Sequence, residues 1–455
     1  MNGNSQKGED MRRKWKKWTA LLAAGMMILS GCGQGSTGEQ NAAGGQNAAD
    51  EAASDVSAST EETEEKGDNG DSAKTVINFY YWDEAQKAGM DELVRLFEES
   101  QDDIIVESTI VPFGEYFTKL QTALPTGTGP DVFWMNISAP DYIEPGLLLD
   151  ITDRIEEAGI DMSKFPEAVT GMYEVEGRIY GIPKDYDGTA VYYNKAIFDE
   201  MGVEYPKADW TWEDMLATAQ ALTNETHYGI VANPDGNSGY QNYVFQNGGN
   251  LMDENKMPTV NSEPVVEAIQ FLHDLMYKYK VSPTGAEQLE FGYSDMFISG
   301  QTAMITDGSW NVNKYYEAMG DDFQIAELPQ NVQKGATTHG VAYVIAANSS
   351  NTDAAWEFVK FAATKEAQEA TAKSAIPAYE GAAEVWKTLY PNQDVQILLD
   401  SVDYASPNPR YAKNSTEAAQ ILTDTISAIW LDENADIQAM LDEAQEKMLE
   451  VINEE

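Results

Sequence analysis

Apolar residues along this chain fall into runs whose period changes, and the changes mark its elements. Val76-Ile77-Asn78-Phe79-Tyr80-Tyr81-Trp82 is rich in β-branched and aromatic residues and predicts a strand. Met90, Leu93, Val94 and Phe97 then recur at helical spacing, and residues 104–111 return to a strand pattern. A second helix carries Phe117, Leu120 and Leu124 on one face. Gly127 and Gly129-Pro130 break it before residues 131–135 form a third strand. This alternation predicts an α/β fold with a mostly parallel sheet covered by helices on both faces. Ligands of such sheets bind beyond the carboxyl ends of the strands. Trp82 and Asp83 after the first strand, and Asn136 after the third, are therefore candidate ligand contacts.

Residues 180–195, YGIPKDYDGTAVYYNK, read as a strand passing from one lobe to another. Ile182-Pro183 leads in, Asp185-Tyr186-Asp187-Gly188 is predicted as an acidic turn, and Ala190-Val191-Tyr192-Tyr193 resumes the strand. The acidic stretch has two readings. One is a solvated turn; the other is a pair of acceptors flanking a ring face, offered to a polar ligand that needs no cofactor.

Length and charge narrow the class. A chain of 455 residues suggests two or three folded units, and a formal charge of -47 opposes binding to nucleic acid or anionic lipid. So many carboxylates also make any nearby pair of acids weak grounds for a two-acid catalytic site.

The N-terminus adds a destination. Lys7, Arg12, Arg13, Lys14, Lys16 and Lys17 precede a short apolar run over residues 19–29, the layout of an export signal. It ends in Leu29-Ser30-Gly31-Cys32, which resembles the lipobox of bacterial lipoproteins and implies cleavage after residue 31 with lipid on the Cys32 sulfur. Cys32 is the sole cysteine, so a disulfide within the chain and a thiolate metal cluster are excluded. Residues 33–74 hold no aromatic residue and one large aliphatic, Val56, so they cannot repay the entropy of ordering. The expectation is a signal peptide over 1–31 and an acidic, disordered tether over 32–74. As a flexible coil the tether spans on the order of 35 Å.

An ordered set of segments resembles the extracellular solute-binding proteins of ABC sugar importers, relatives of maltose-binding protein. Early in the chain the set comprises Tyr116-x-x-Lys119-Leu120, Gly129-Pro130-Asp131-Val132-Phe133, Gly181-Ile182-Pro183 and Tyr193-Asn194-Lys195. It continues through Phe198, Gly202, Pro206 and Thr211-Trp212-Glu213-Asp214 to Phe245-Gln246-Asn247-Gly248-Gly249. It closes with residues 297–304, Gly308-Ser309-Trp310 and Ala354-Ala355-Trp356-Glu357-Phe358. The resemblance implies a two-lobed periplasmic-binding-protein-like fold of type II, with ligand in the cleft between lobes that close around it. The lobes implied are 75–184 plus about 339–375, and 185–338 plus about 376–455. Residues 180–195 then cross between lobes, which turns Asp185, Tyr186 and Asp187 toward the cleft.

The resemblance also implies a carbohydrate ligand. A pyranose needs flat aromatic surfaces for its C–H faces and carboxylates or amides for its hydroxyls. Trp82, Tyr186, Tyr240 and Trp310 are the candidate platforms, and Asp83, Asn136, Asp185 and Asp187 the candidate acceptors. Asp187 matches an acidic ligand position of the family and Trp310 a stacking Trp. His339 stands at the implied lobe return, and Arg410 follows Pro407 and Pro409 in a loop able to supply a cation. Where maltose-binding relatives carry a Trp and an Arg in a late helix, residues 416–430 offer mostly Glu417, Gln420, Asp424 and aliphatics, so the implied sugar need not be maltose.

No H-E-x-x-H, G-x-S-x-G or P-loop sequence occurs, and no metal or cofactor is expected. Asp432, Asn434, Asp436 and Glu443 have the spacing of a calcium loop, but Ile437 stands where that loop needs Gly. The expectation is a monomeric, non-enzymatic lipoprotein on the extracellular face of the cell membrane, handing an oligosaccharide to ABC permease transmembrane subunits. The alternatives are a tethered carbohydrate-active enzyme and a sugar sensor for a membrane receptor.

Overall fold

The computed structural model describes residues 74–454; the expected export signal, Cys32 and the expected tether up to residue 73 lie outside the described residues. Strand β1 (Thr75–Tyr81) buries Ile77, Phe79 and Tyr81 while the intervening positions are more open, the period-two pattern of a half-covered strand. It runs parallel to β2 (Ile104–Ile110) and β3 (Val132–Met135). The helix Lys87–Ser100 connects β1 to β2 and buries Met90, Leu93 and Phe97. A short hairpin, β4 (Glu174–Val175) and β5 (Arg178–Ile179), precedes β6 (Gly181–Asp187).

The second lobe is built on β7 (Thr189–Asn194), which lies antiparallel between β8 (Met304–Gly308) and β9 (Phe323–Ala326). The long strand β10 (Ala336–Ile345) then returns to the first sheet, antiparallel to both β3 and β6, while its first residues pair with β11 (Ala405–Pro407). The parallel arrangement expected from the sequence thus holds for β2, β1 and β3. It gives way at β10 because that strand arrives from the other lobe.

Two apolar cores result. The first gathers Phe79, Leu93, Phe97, Trp134 and Phe358, and the second gathers Phe198, Met215, Ile269, Leu272, Trp430 and Leu441. Ile376, Trp386, Tyr390 and Leu398 join the first cluster, which also reaches Tyr192, Tyr315 and Phe323 of the second sheet's surroundings. Among the described residues no helix is long and apolar enough to cross a membrane.

The structure corrects the expected acidic turn at residues 185–188. Asp185, Tyr186 and Asp187 are the last residues of β6, paired with Val341, Gly340 and His339. Pairing with β10 satisfies the backbone, and the carboxylates find partners of their own, so the chain has no cause to turn. At Gly188 the crossing segments touch: a Cβ there would lie 1.9 Å from the Leu398 carbonyl oxygen and 2.6 Å from Ser401 Oγ. The Ser401 hydroxyl donates to that carbonyl at 2.8 Å and accepts from the Thr189 amide at 3.3 Å.

Candidate functional site

The register of β6 on β10 sets Asp187 opposite His339 where the chain passes between lobes. His339 Nδ1 lies 2.8 Å from Asp187 Oδ2, and the Ser309 hydroxyl donates to Asp187 Oδ1 at 2.7 Å. A carboxylate has about four acceptor positions, so these contacts leave capacity for a ligand hydroxyl. Burial disfavours the His339 cation, but the Asp187 charge and hydrogen bond, aided by Asp185 and Asp235, outweigh it and raise the imidazole above its ordinary range. The Trp310 indole stacks on His339 at 4.8 Å and 28° and lies over Gly308, where a Cβ would come within 1.9 Å of the ring. Trp310 nevertheless keeps 40% of its surface exposed, a large aromatic face held in place and still open.

Asp185 sits one pleat further along the same face of β6 and is buried. Its Oδ1 accepts the Val341 amide at 2.9 Å and its Oδ2 pairs closely with Lys184. Lys184 is fully buried, bonds Gln86 Oε1 at 2.7 Å and lies 4.3 Å over the Trp134 ring. A buried ammonium requires such partners. Burial raises the Asp185 carboxyl against the pull of Lys184. Tyr186 is buried in the first core, and burial, with Asp403 and Asp400 nearby, pushes its hydroxyl up.

The strand-end candidates on the β1–β3 side are engaged locally. Trp82 packs edge-on against Tyr116 at 5.0 Å and Trp134 at 5.1 Å. Asp83 Oδ1 caps the turn Glu84–Gln86 through the Ala85 amide at 2.9 Å, and Asn136 Oδ1 accepts the Ser138 amide at 3.0 Å. Tyr240 and Arg410 instead line a cavity of about 380 Å³, with Ser138 and Asp141 from the β3 side and Asp235 and Gln241 from the other. Two bonds join lining residues to the opposite side: Arg410 Nη2 to Glu144 Oε1 at 2.8 Å and Thr416 Oγ1 to Asp141 Oδ2 at 3.0 Å.

Sequence reasoning missed Lys184, Asp235, Asp307 and Ser309. Asp235 follows Pro234 and precedes Gly236-Asn237, a turn signature that marks a loop where a polar group is easily presented. Asp307, the next-to-last residue of β8, is fully buried, accepting from Tyr315, from the Gly308 amide at 2.8 Å and from Asn311 Nδ2 at 2.9 Å. Burial pushes its carboxyl up to about 6 against the pull of those donors. The calcium-spaced acids serve the junction between two helices: Asp436 Oδ1 caps the helix Ile437–Asn453 through the Ala439 amide at 3.1 Å, and Asp432 Oδ1, at the end of the helix Ser415–Leu431, accepts the Asn434 amide at 2.9 Å.

Residues 92–396 match the family profile described as bacterial extracellular solute-binding protein. The chain belongs to that solute-binding family. Among curated relatives, the arabinooligosaccharide-binding protein of Halalkalibacterium halodurans is 27% identical over 321 residues, covering 67% of this chain and 71% of the relative. The galactooligosaccharide-binding protein of Bacillus subtilis is 26% identical over 385 residues, 80% of this chain and 87% of that one. Among solved structures, an ABC substrate-binding protein from Listeria monocytogenes in complex with cycloalternan superposes with a TM-score of 0.77 at 27% identity, over 84% of this chain and 100% of its own. The fold of this solute-binding protein is therefore two-lobed, with β6–β7 and β10 running between the lobes.

Proposed function

We propose that this protein is the substrate-binding lipoprotein of an ABC importer, capturing a short oligosaccharide between its lobes and delivering it to the permease transmembrane subunits. The observation that carries the reading is the exposed Trp310 face, fixed over Gly308 and against His339, beside the Asp187 carboxylate at the lobe crossing. A pyranose stacks on such a face while its hydroxyls donate to the carboxylate, a charge-assisted bond of about 1.5–3 kcal/mol. The oligosaccharide ligands printed in the names of the curated relatives support the same class.

In this reading Asp187, Trp310, His339, Tyr240 and Arg410 face the ligand. Asp185 and Tyr186 hold the crossing strand, and Trp82, Asp83 and Asn136 shape the loop ends of the first lobe. The lobes are 75–184 plus about 339–375, and the remainder of the folded part. Contacts made to both lobes exist only when the lobes are closed, so binding shifts the population to that form and the permease reads the closed surface. The sugar leaves as it came, with no bond broken. Lipid on Cys32 holds the monomer at the extracellular face of the membrane.

The test is titration calorimetry of the full chain against arabino-, galacto- and malto-oligosaccharides, followed by mass spectrometry of each mixture. Saturable binding to one class with the sugar recovered intact is expected, and Trp310→Ala should weaken it about tenfold or more, the worth of one aromatic stack. Shortened glycans would instead show an enzyme.

A further inference from the structure

Asp307 is a buried acid for which the sugar site has so far had no use. Its side chain is sealed from solvent, its hydrogen bonds among the described residues come from neutral donors, and the Asp235 charge repels it. Holding a carboxylate in such a place costs stability, so its presence asks for a reason.

The donors supply one. Oδ1 accepts the Gly308 amide at 2.8 Å, and Oδ2 accepts Asn311 Nδ2 at 2.9 Å. Gly308 leads into the short turn Ser309–Asn311 that carries Trp310, and Asn311 closes it. Tyr315 also donates to Oδ2, as does the Ser294 hydroxyl at 3.4 Å. Every partner is a donor. An amide in this position would turn an N–H toward one end of the turn, whereas a carboxylate accepts from both ends. The middle of the turn is tied as well, since the Ser309 amide donates to the Gly188 carbonyl at 2.9 Å and its hydroxyl to Asp187. The Trp310 indole itself is placed by contact, over the bare backbone of Gly308 and against His339. A ring placed in that way follows its turn.

We infer that Asp307 is a positioning residue for Trp310: by clamping both ends of the turn it fixes the angle of the indole face beside Asp187 and His339. The consequence for binding rests on the reading of that face as a sugar platform. A preorganised face has less side-chain freedom to lose when ligand arrives, which is what the buried charge secures.

The test uses the full chain and two variants, Asp307→Asn, which turns an N–H toward one end of the turn, and Asn311→Ala, which frees the far end. The first readout needs no sugar. His339 is one of three histidines in the chain, and the Trp310 ring stacked on it shields its ring protons, so its NMR signal, assigned by its loss in His339→Gln, reports where the indole lies. Read at the alkaline end of its titration, that signal should move in both variants toward its position in Trp310→Ala. With maltotriose, arabinotriose and galactotriose as probes, the Kd for whichever binds should rise about threefold or more, part of the worth of one aromatic stack. A merely structural Asp307 would lower the urea midpoint in both variants and leave the signal in place, and that result overturns the inference. So does a signal that moves while the Kd stays at the wild-type value and Trp310→Ala weakens binding. If Trp310→Ala binds sugar as wild type does, or no sugar binds, the platform reading falls, and the His339 signal alone decides whether Asp307 places the ring. Should Asp307→Asn not fold, Asn311→Ala decides.

Discussion

At the scale of single residues, the Asp187–His339 pair is where charge and position meet. Because the Asp187 charge overcomes the burial that disfavours the cation, the folded-state pKa of His339 lies above its ordinary value of about 6.5. The stability it adds is fully present below the unfolded value and is lost as pH rises through the folded one. Following the His339 ring by NMR should give a midpoint above 6.5, and Asp187→Asn should lower it. Asp307 gives the same direction with pH from the opposite cause, burial that disfavours its charged form. Its carboxyl is held at about 6 against about 3.9 unfolded, so the native state binds more protons between those values and stability falls as pH rises through that window. The cost at pH 7 is about 3 kcal/mol and vanishes below about pH 4. Urea denaturation of Asp307→Asn and wild type should therefore show the variant gaining on the wild type between pH 4 and 7. Of these residues, Asp187 was legible in the sequence from its family position, whereas Asp307 reads only as the end of an apolar run. Its burial comes from Tyr315 and Asn311, on the segment that folds back after β8, and no local pattern announces that packing.

At the scale of elements, local patterns carried furthest where an element makes its own case. The strand–helix–strand opening follows from period alone, and Thr211 caps the helix Trp212–Leu222 reciprocally with Asp214, as the Thr-x-x-Asp spacing suggests. Residues 185–187 were read as a turn because two carboxylates in a core strand are expensive. What reverses that expectation is β10, a strand distant in sequence, together with the buried Lys184 beside Asp185. Crossing geometry is similarly invisible in Gly188, which in sequence is one glycine after an acid. Gly188→Ala drives a methyl group into the Leu398 carbonyl and should destabilise the protein by about 1–3 kcal/mol or more. Gly171→Ala, whose added carbon meets nothing within 4 Å, should stay within about 0.5 kcal/mol in the same denaturation experiment.

At the scale of the whole molecule, apolar surface gathers into two clusters, the first running across to Tyr192, Tyr315 and Phe323 beside the second sheet, while the cavity lined by residues 137–141, 234–241 and 408–423 is walled mostly by polar side chains. The sequence announces that architecture through its ordered family segments. The particular cleft residues from the loops at 234–241 and 408–416 are set by loop geometry, which residue type alone does not encode. The bonds from Arg410 to Glu144 and from Thr416 to Asp141 already stitch one side of that space to the other. Entry of a sugar is expected to require that these two bonds part, which would make arrival a matter of timing as well as affinity. In stopped-flow mixing, the observed rate should level off as sugar concentration rises instead of climbing without limit. Added salt, which screens an exposed ion pair, should lift that plateau. Such a plateau would mean that cargo enters at the tempo of the protein's own opening, however crowded the medium outside.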